Sequence, residues 1–160
     1  ISIYLNCILL GVFFFNFSGK IFIGDSGAYI IGLFLAITVI NFVERNSLIS
    51  PFVAVQILIY PAYELFRSVI RRILNNQNIL HPDNEHFHSL IHKLNFANYS
   101  LTPLKVNILS SFQIIIVQIV NMIYIQNFYE NDGMIIFGIF FFIVFYEILY
   151  FKIHSKLKNV

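Results

Sequence analysis

Arg71-Arg72-Ile73-Leu74-Asn75-Asn76-Gln77-Asn78-Ile79-Leu80-His81-Pro82-Asp83-Asn84-Glu85-His86-Phe87-His88-Ser89-Leu90-Ile91-His92-Lys93 is the only long polar stretch in a chain that otherwise reads as lipid-soluble. It holds four of the five histidines. Long apolar runs flank it on both sides, so it reads as a loop held between membrane-spanning helices. Composition agrees: 58% of the residues are hydrophobic and 11% charged, with a mean hydropathy of +0.77, whereas a soluble domain carries about 25% charged residues. A water-soluble fold of this size could not hide so much apolar surface. The expected fold is all-α: a multipass transmembrane helical bundle of about five spans, forming one membrane domain over residues 1–160.

Outward from the polar stretch, the spans are expected at 1–17, 28–43, 51–70, 104–125 and 134–151. Ser50-Pro51 reads as a helix cap followed by proline in the first turn, where its missing N–H costs nothing. Pro61 cannot donate to the carbonyl of Ile57, so a kink is expected inside the third span. There is no tryptophan, which leaves tyrosine for any interfacial belt. The single cysteine, Cys7, excludes an internal disulfide. The formal net charge of +2 invites no nucleic-acid reading. Ile1 already lies in an apolar run with no charged segment ahead of it. A signal peptide is therefore not expected, and the sequence reads as the C-terminal part of a longer chain.

Charge placement orients the spans. If loops alternate sides, Lys20, Arg67, Arg71, Arg72, Lys93, Lys105, Lys152, Lys156 and Lys158 share one side, and only Arg45 faces the other. Lys and Arg accumulate on the cytoplasmic side. The loops 18–27 and 71–103 and the basic end are therefore expected in the cytoplasm.

Three groups of residues carry candidate chemistry, each with a plain structural alternative. In Gly24-Asp25-Ser26-Gly27, Asp25 or Ser26 can cap the second span. The alternative is an aspartate at a helix N-terminus that stays ionised and can share a Mg²⁺ with a phosphate. From Asp83 onward, Phe87, Leu90, Ile91 and Leu94 recur at helical spacing, which predicts a short amphipathic helix on the membrane surface, with Asp83 as its N-cap. His88 and His92 share a flank of that helix, but Ser89 replaces the glutamate a zinc protease needs. His86 and His88 converge only if the chain is extended or turning there. Finally, Glu64, Arg67 and Arg71 lie on one helix face past Pro61. They form either an i, i+3 pair with snorkelling ends, or the charged wall of an aqueous cavity for anionic groups.

The order of these features adds more than any one of them. Phe15-Asn16-Phe17, then Lys20-Ile21-Phe22-Ile23-Gly24-Asp25-Ser26-Gly27, a span, Ile49-Ser50-Pro51, Pro61, Glu64, Arg71-Arg72, Pro82-Asp83, His86, His88 and Leu90 follow in sequence. This resembles the C-terminal half of the polyprenyl-phosphate N-acetylhexosamine-1-phosphate transferases, the WecA/MraY-like superfamily. Those enzymes carry a Gly-Asp-x-Gly loop, a Ser-Pro span start, an Arg-Arg pair and a Pro-Asp-Arg-x-His-x-His-His loop, in that order. The resemblance covers nearly the whole chain.

What the resemblance implies is a phosphosugar transfer. An undecaprenyl-type phosphate attacks the β-phosphorus of a UDP-N-acetylhexosamine, giving a polyprenyl-diphospho-sugar and UMP with Mg²⁺ as cofactor. Carried over by position, Asp25 is the metal-site and catalytic aspartate, His86 and His88 are catalytic, and Lys20, Arg71, Arg72 and Asp83 bind substrate. The implied partners are the UDP-sugar, the polyprenyl phosphate lipid and the membrane, with a homodimer open. The implied location is a bacterial inner membrane, with the active-site loops cytoplasmic and the product feeding cell-surface polysaccharide synthesis. Asn84 stands where the family has arginine, Ser89 where it has its last histidine, and Glu64 where it often has aspartate. The family's Asp-Asp pair is absent from this sequence, so the chain by itself is expected to be inactive. Two other readings remain from the residues: a non-catalytic membrane fragment, and a transport or channel subunit in which Glu64 and Arg67 line a pathway.

Overall fold

In a computed structural model of the chain, residues 2–17, 20, 24–76 and 85–158 are described. The fold is 85% helical, with seven helices and no strand among the described residues. These are α1 (Ser2–Phe17), α2 (Gly24–Glu44), α3 (Phe52–Ile57), α4 (Ile59–Leu74), α5 (Phe87–Asn98), α6 (Pro103–Phe128) and α7 (Asp132–Lys158). They fall into two compact units, Ile1–Phe42 and Val43–Val160. Three helices, Ser26–Glu44, Pro103–Phe128 and Asp132–Lys158, are long and apolar enough to cross a membrane. Phenylalanines 137, 140 and 141 on α7 stand 61–65% exposed, an apolar surface that only lipid or another chain could cover. The protein is an all-α membrane bundle.

Local chemistry explains the helix ends in the second unit. Ser50 Oγ accepts the Phe52 N–H at 3.3 Å, and Pro51, expected in the first turn, is instead the residue that caps α3, one position earlier. The expected kink is a break at Leu58, between α3 and α4. Pro61 leaves the Ile57 carbonyl without its helical donor, and Leu58 takes φ −92° and ψ 5° at the junction. Thr102, in extended backbone, precedes Pro103 at the first position of α6, where the missing N–H costs nothing. Asn131 Oδ1 accepts the Met134 N–H at 3.0 Å and caps α7. α7 runs on through Lys158, so the expected tail after residue 151 is helical. At 27 residues it is about 40 Å long, more than the hydrocarbon core of about 30 Å.

Helix α5 differs from expectation in position and surroundings. It starts at Phe87, with His86 as N-cap, rather than at Asp83, which lies outside the described residues. Its apolar residues Phe87, Leu90 and Ile91 are buried against Ile59, Phe142, Tyr146 and Tyr150. The periodicity was legible, but the face it creates packs on protein rather than on a membrane surface. A second cluster joins Val53, Ile125 and Ile135. There the Ser50 N–H donates to the Tyr129 carbonyl at 2.8 Å, tying the loop after α2 to the α6–α7 turn. Within this unit, Arg45 and the α6–α7 turn thus occupy one end, and α5 packs beside Tyr150 towards the other.

One close approach holds α6 to α7. A Cβ at Gly138 would fall inside the van der Waals envelope of the Tyr124 ring, whose hydroxyl donates to the Met134 carbonyl. Gly138→Ala is expected to displace that ring, break the hydrogen bond and cost about 1–3 kcal/mol. Thermal denaturation in detergent, with Gly133→Ala as the neighbouring comparison, measures it.

Candidate functional site

α4 presents Tyr63, Glu64, Arg67 and Arg71 along one face, and α7 presents Tyr146, Glu147 and Tyr150 opposite them. The start of α5 meets both helices. Glu64 joins the three elements: its Oε1 accepts the Phe87 N–H at 2.7 Å and lies 3.1 Å from His86 Nδ1. Its Oε2 accepts the Tyr146 hydroxyl at 2.6 Å. Phe87 is the first residue of α5, so its N–H has no partner within the helix. Glu64 supplies one from another helix and places a negative charge at the positive end of α5.

Arg67 is neutralised inside the protein. Its Nε and Nη2 bond Glu147 Oε1 and Oε2 at 2.7 and 3.3 Å, and its guanidinium lies 3.2 Å from the Tyr150 ring centroid. Tyr63 donates its hydroxyl to the same Glu147 Oε1 at 2.8 Å. Of the two readings of this face, the i, i+3 Glu64–Arg67 pair along α4 is therefore replaced by contacts to other elements. Bundle packing turns each side chain toward a better partner than its sequence neighbour.

Arg71 ties the segment ahead of α5 to this assembly. Its Nη1 donates to the Tyr150 hydroxyl at 3.0 Å and to the Glu85 carbonyl at 3.1 Å. Its Nε is 3.3 Å from Glu85 Oε2, and the Tyr150 hydroxyl donates to the Glu85 carbonyl at 3.1 Å. A groove of about 580 Å³ opens between α4 and α7, with Arg67, Arg71, His154 and Lys158 among its walls. This is a cavity of the kind the charged face of α4 predicts, although Glu85 and Glu147 offset part of its positive charge.

The histidines follow from where α5 begins. His86 has φ −62° and ψ 148°, extended backbone just ahead of the helix. The condition for His86 and His88 to converge is met: their rings stack at 5.5 Å with planes 9° apart. Desolvation by its surroundings and the nearby His86 lower the His88 pKa below the ordinary histidine value, against the pull of Glu64, although much of the ring remains exposed. His92, one turn on, faces with His88 into a separate polar groove of about 380 Å³ against α6.

The remaining sequence candidates are placed as follows. Arg72 stands beside Arg71 in the last turn of α4, where a cation suits the helix dipole. Lys20 is exposed just after α1, its N–H donating to the Phe15 carbonyl at 3.0 Å. Asp25 lies in the first turn of α2, which begins at Gly24 rather than near Ala28. It is thus inside the helix rather than capping it, and its side chain is outside the described part. Asp83 is outside the described residues altogether. Among the described residues, no group of three or more His, Cys, Asp or Glu is placed to hold a metal ion. The carboxylates of Glu64 and Glu147 are taken up by the donors named above.

Sequence reasoning did not bring Tyr146, Glu147 and Tyr150 into the site. One signal was available: Glu147 is the only charged residue in the stretch 134–151, and an ionisable group at that depth needs a partner.

Comparison with known proteins gives related sequences but no matching family model and no matching solved structure. The chain is 37% identical over 81 residues to a probable undecaprenyl-phosphate N-acetylglucosaminyl 1-phosphate transferase of Bacillus subtilis (strain 168), covering 49% of this chain and 23% of that protein. It is 34% identical over 101 residues to decaprenyl-phosphate N-acetylglucosaminephosphotransferases of Mycobacterium leprae and Mycolicibacterium smegmatis, covering 55% of this chain and 25% of each relative. The matched region spans about a quarter of the length of these curated relatives.

Proposed function

We propose that this chain carries the histidine-loop part of a membrane transferase that moves an N-acetylhexosamine-1-phosphate from a UDP-sugar to a polyprenyl phosphate. The observation that carries the reading is the convergence of His86 and His88 at the start of α5, anchored by Glu64 and Arg71. The similarity to curated transferases that act on undecaprenyl or decaprenyl phosphate supports it. In the proposed reaction, a phosphate oxygen of the lipid forms a bond to the β-phosphorus of the UDP-sugar. The bond from that phosphorus to the bridging oxygen breaks, and UMP leaves with the electron pair. Charge in such transfers spreads over phosphate oxygens, so the protein's contribution is positioning and electrostatic stabilisation.

Each residue then has a role its chemistry suits. His86 and His88 hydrogen-bond phosphate oxygens of the diphosphate. Arg71 and Arg72 add positive charge beside them, with Lys20 and Asp83 as further substrate contacts. Asp25 is the carboxylate assigned to a divalent cation, Mg²⁺ in this proposal, which when bound neutralises phosphate charge. A pathway role for Glu64 and Arg67 gains no support, because both spend their charge on partners within the protein. The direct test is release of UMP by the intact protein in lipid, across a panel of UDP-N-acetylhexosamines with polyprenyl phosphate. No release with any donor would end the reading.

The proposal includes topology, with the loops around Asp25 and His86 on the cytoplasmic side of a bacterial inner membrane and Arg45 opposite. α1 and the α3–α4 pair are proposed as spans beside the three long apolar helices. Single cysteines at Ser18, Asn76 and Asn46, in a Cys7→Ser background, test the sidedness. A membrane-impermeant thiol reagent on intact cells is expected to label position 46 and spare positions 18 and 76. Labelling of 18 or 76 but not 46 would overturn the arrangement.

A further inference from the structure

The groove between α4 and α7 holds more positive charge than its own carboxylates match. Arg67, Arg71, His154 and Lys158 supply its basic groups, and Glu85 and Glu147 its carboxylates. Arg67 is bound by Glu147 and Arg71 by Glu85. His154 and Lys158 have no acceptor among the described residues. The His154 ring only stacks on Tyr150, with centroids 5.9 Å apart. Glu147, Tyr150 or Phe151, His154 and Lys158 follow one another at spacings of three and four, so they face the groove from one side of α7. Lys152 and Lys156 lie on the opposite side of the helix, exposed and outside the groove.

The end of α7 that carries His154 and Lys158 lies at the depth of lipid headgroups. The apolar stretch 134–151 accounts for about 27 Å of the helix, close to the hydrocarbon core of about 30 Å, so residues 152–158 extend past it. On the core side of the groove stand Phe66 and Ile70 of α4 and Phe151 of α7, which are 59%, 39% and 63% exposed. A cation at headgroup level beside an exposed apolar cleft suits a molecule with one anionic head and hydrocarbon tails. We infer that the α4–α7 groove binds an anionic phospholipid of the surrounding membrane. Lys158 and a ring N–H of His154 donate to its phosphate, and its chains run along Phe66, Ile70 and Phe151.

Charge selects the class of lipid. With Arg67 and Arg71 matched inside the protein, Lys158 brings one unmatched positive charge to the groove. A phosphodiester head carries a single negative charge, which Lys158 balances. A phosphate monoester, the head of a polyprenyl phosphate, carries about −1.5 to −2 near neutral pH. The excess would stand beside Glu85 and Glu147, where like charges repel. A zwitterionic head brings its own cation and gains less from Lys158. The site is therefore distinct in chemistry from one for the acceptor lipid, and it does not depend on the transferase reading.

The test takes the intact protein, delipidated in detergent, with dioleoylphosphatidylglycerol as the probe and bound lipid counted by native mass spectrometry. Phosphatidylglycerol is expected to be retained on the chain in preference to dioleoylphosphatidylcholine. Lys158 is exposed in the last turn of α7, so its replacement leaves the fold in place. Lys158→Gln is expected to weaken phosphatidylglycerol binding about 5-fold, the factor for one cation beside an anionic lipid surface. The Lys152→Gln/Lys156→Gln variant removes two charges but is expected to change binding by about 2-fold at most in physiological salt, because the opposite side of a helix is about a Debye length away. An equal or larger loss in that variant means diffuse attraction to a charged surface and overturns the site, as does equal binding of phosphatidylcholine. Displacement of phosphatidylglycerol by a lower concentration of polyprenyl phosphate makes the groove an acceptor site, and displacement by inorganic phosphate makes it a site for the head alone. Either result overturns the assignment to a phospholipid.

Discussion

Asp25→Asn in the intact protein is expected to abolish Mg²⁺-dependent release of UMP while leaving helix α2 in place. Asp25 stands in the first turn of α2, where a carboxylate gains about 0.3–1 kcal/mol from the helix dipole. Asparagine keeps the size and most of the hydrogen-bonding capacity of the side chain and loses the charge. The folding cost is therefore bounded by that small figure. A residue that serves a divalent cation loses far more, because a neutral amide is a poor ligand for a hard cation among phosphates. Equal expression, an unchanged melting temperature and no detectable UMP would establish the separation. Near wild-type turnover in a normally folded Asp25→Asn protein would return the residue to a purely structural role in the first turn.

The second large effect is a contrast among the histidines. Alanine at His86 or His88 is expected to lower turnover by roughly 10²–10⁴-fold, the range for loss of a positioned acid–base or hydrogen-bonding group. Stability should change little, because neither ring is buried in a cluster. His92→Ala is expected to cost at most about 0.5 kcal/mol and to leave turnover near wild type, as for an ordinary surface change. Spacing alone would favour His88 and His92, one turn apart on a helix. The backbone decides otherwise: extended geometry at His86 brings its ring onto His88, while His92 stacks toward Phe96 at 6.5 Å. Turnover lost with His92→Ala and kept with His86→Ala would overturn this assignment and point to chemistry in the α5–α6 groove.

Several features were legible in the residues because their causes are local. Hydrophobic runs mark helices wherever water is excluded. Ser50-Pro51 announces a helix start through the missing proline N–H. Pro61 forces a break one turn earlier for the same reason. The spacing of Phe87, Leu90 and Ile91 gives α5 its apolar face, and the ordered motifs carry a resemblance to transferases that the related sequences bear out.

What those residues pack against was decided elsewhere. Along α4 alone, Glu64 and Arg67 are neighbours of opposite charge, and nothing in their spacing forbids a pair. Once α7 lies against α4, Glu147, the only charge in its apolar stretch, has to be matched, and Arg67 is the cation within reach. Glu64 is then left for the unpaired N–H at the start of α5, for Tyr146 and for His86. The sequence by itself determined that the chain is helical and membrane-embedded, and where its polar chemistry sits. The pairing of its charges, and with it the orientation of His86, was decided only by the tertiary structure, because a buried charge takes the partner that packing brings within hydrogen-bonding distance, whatever its separation along the chain.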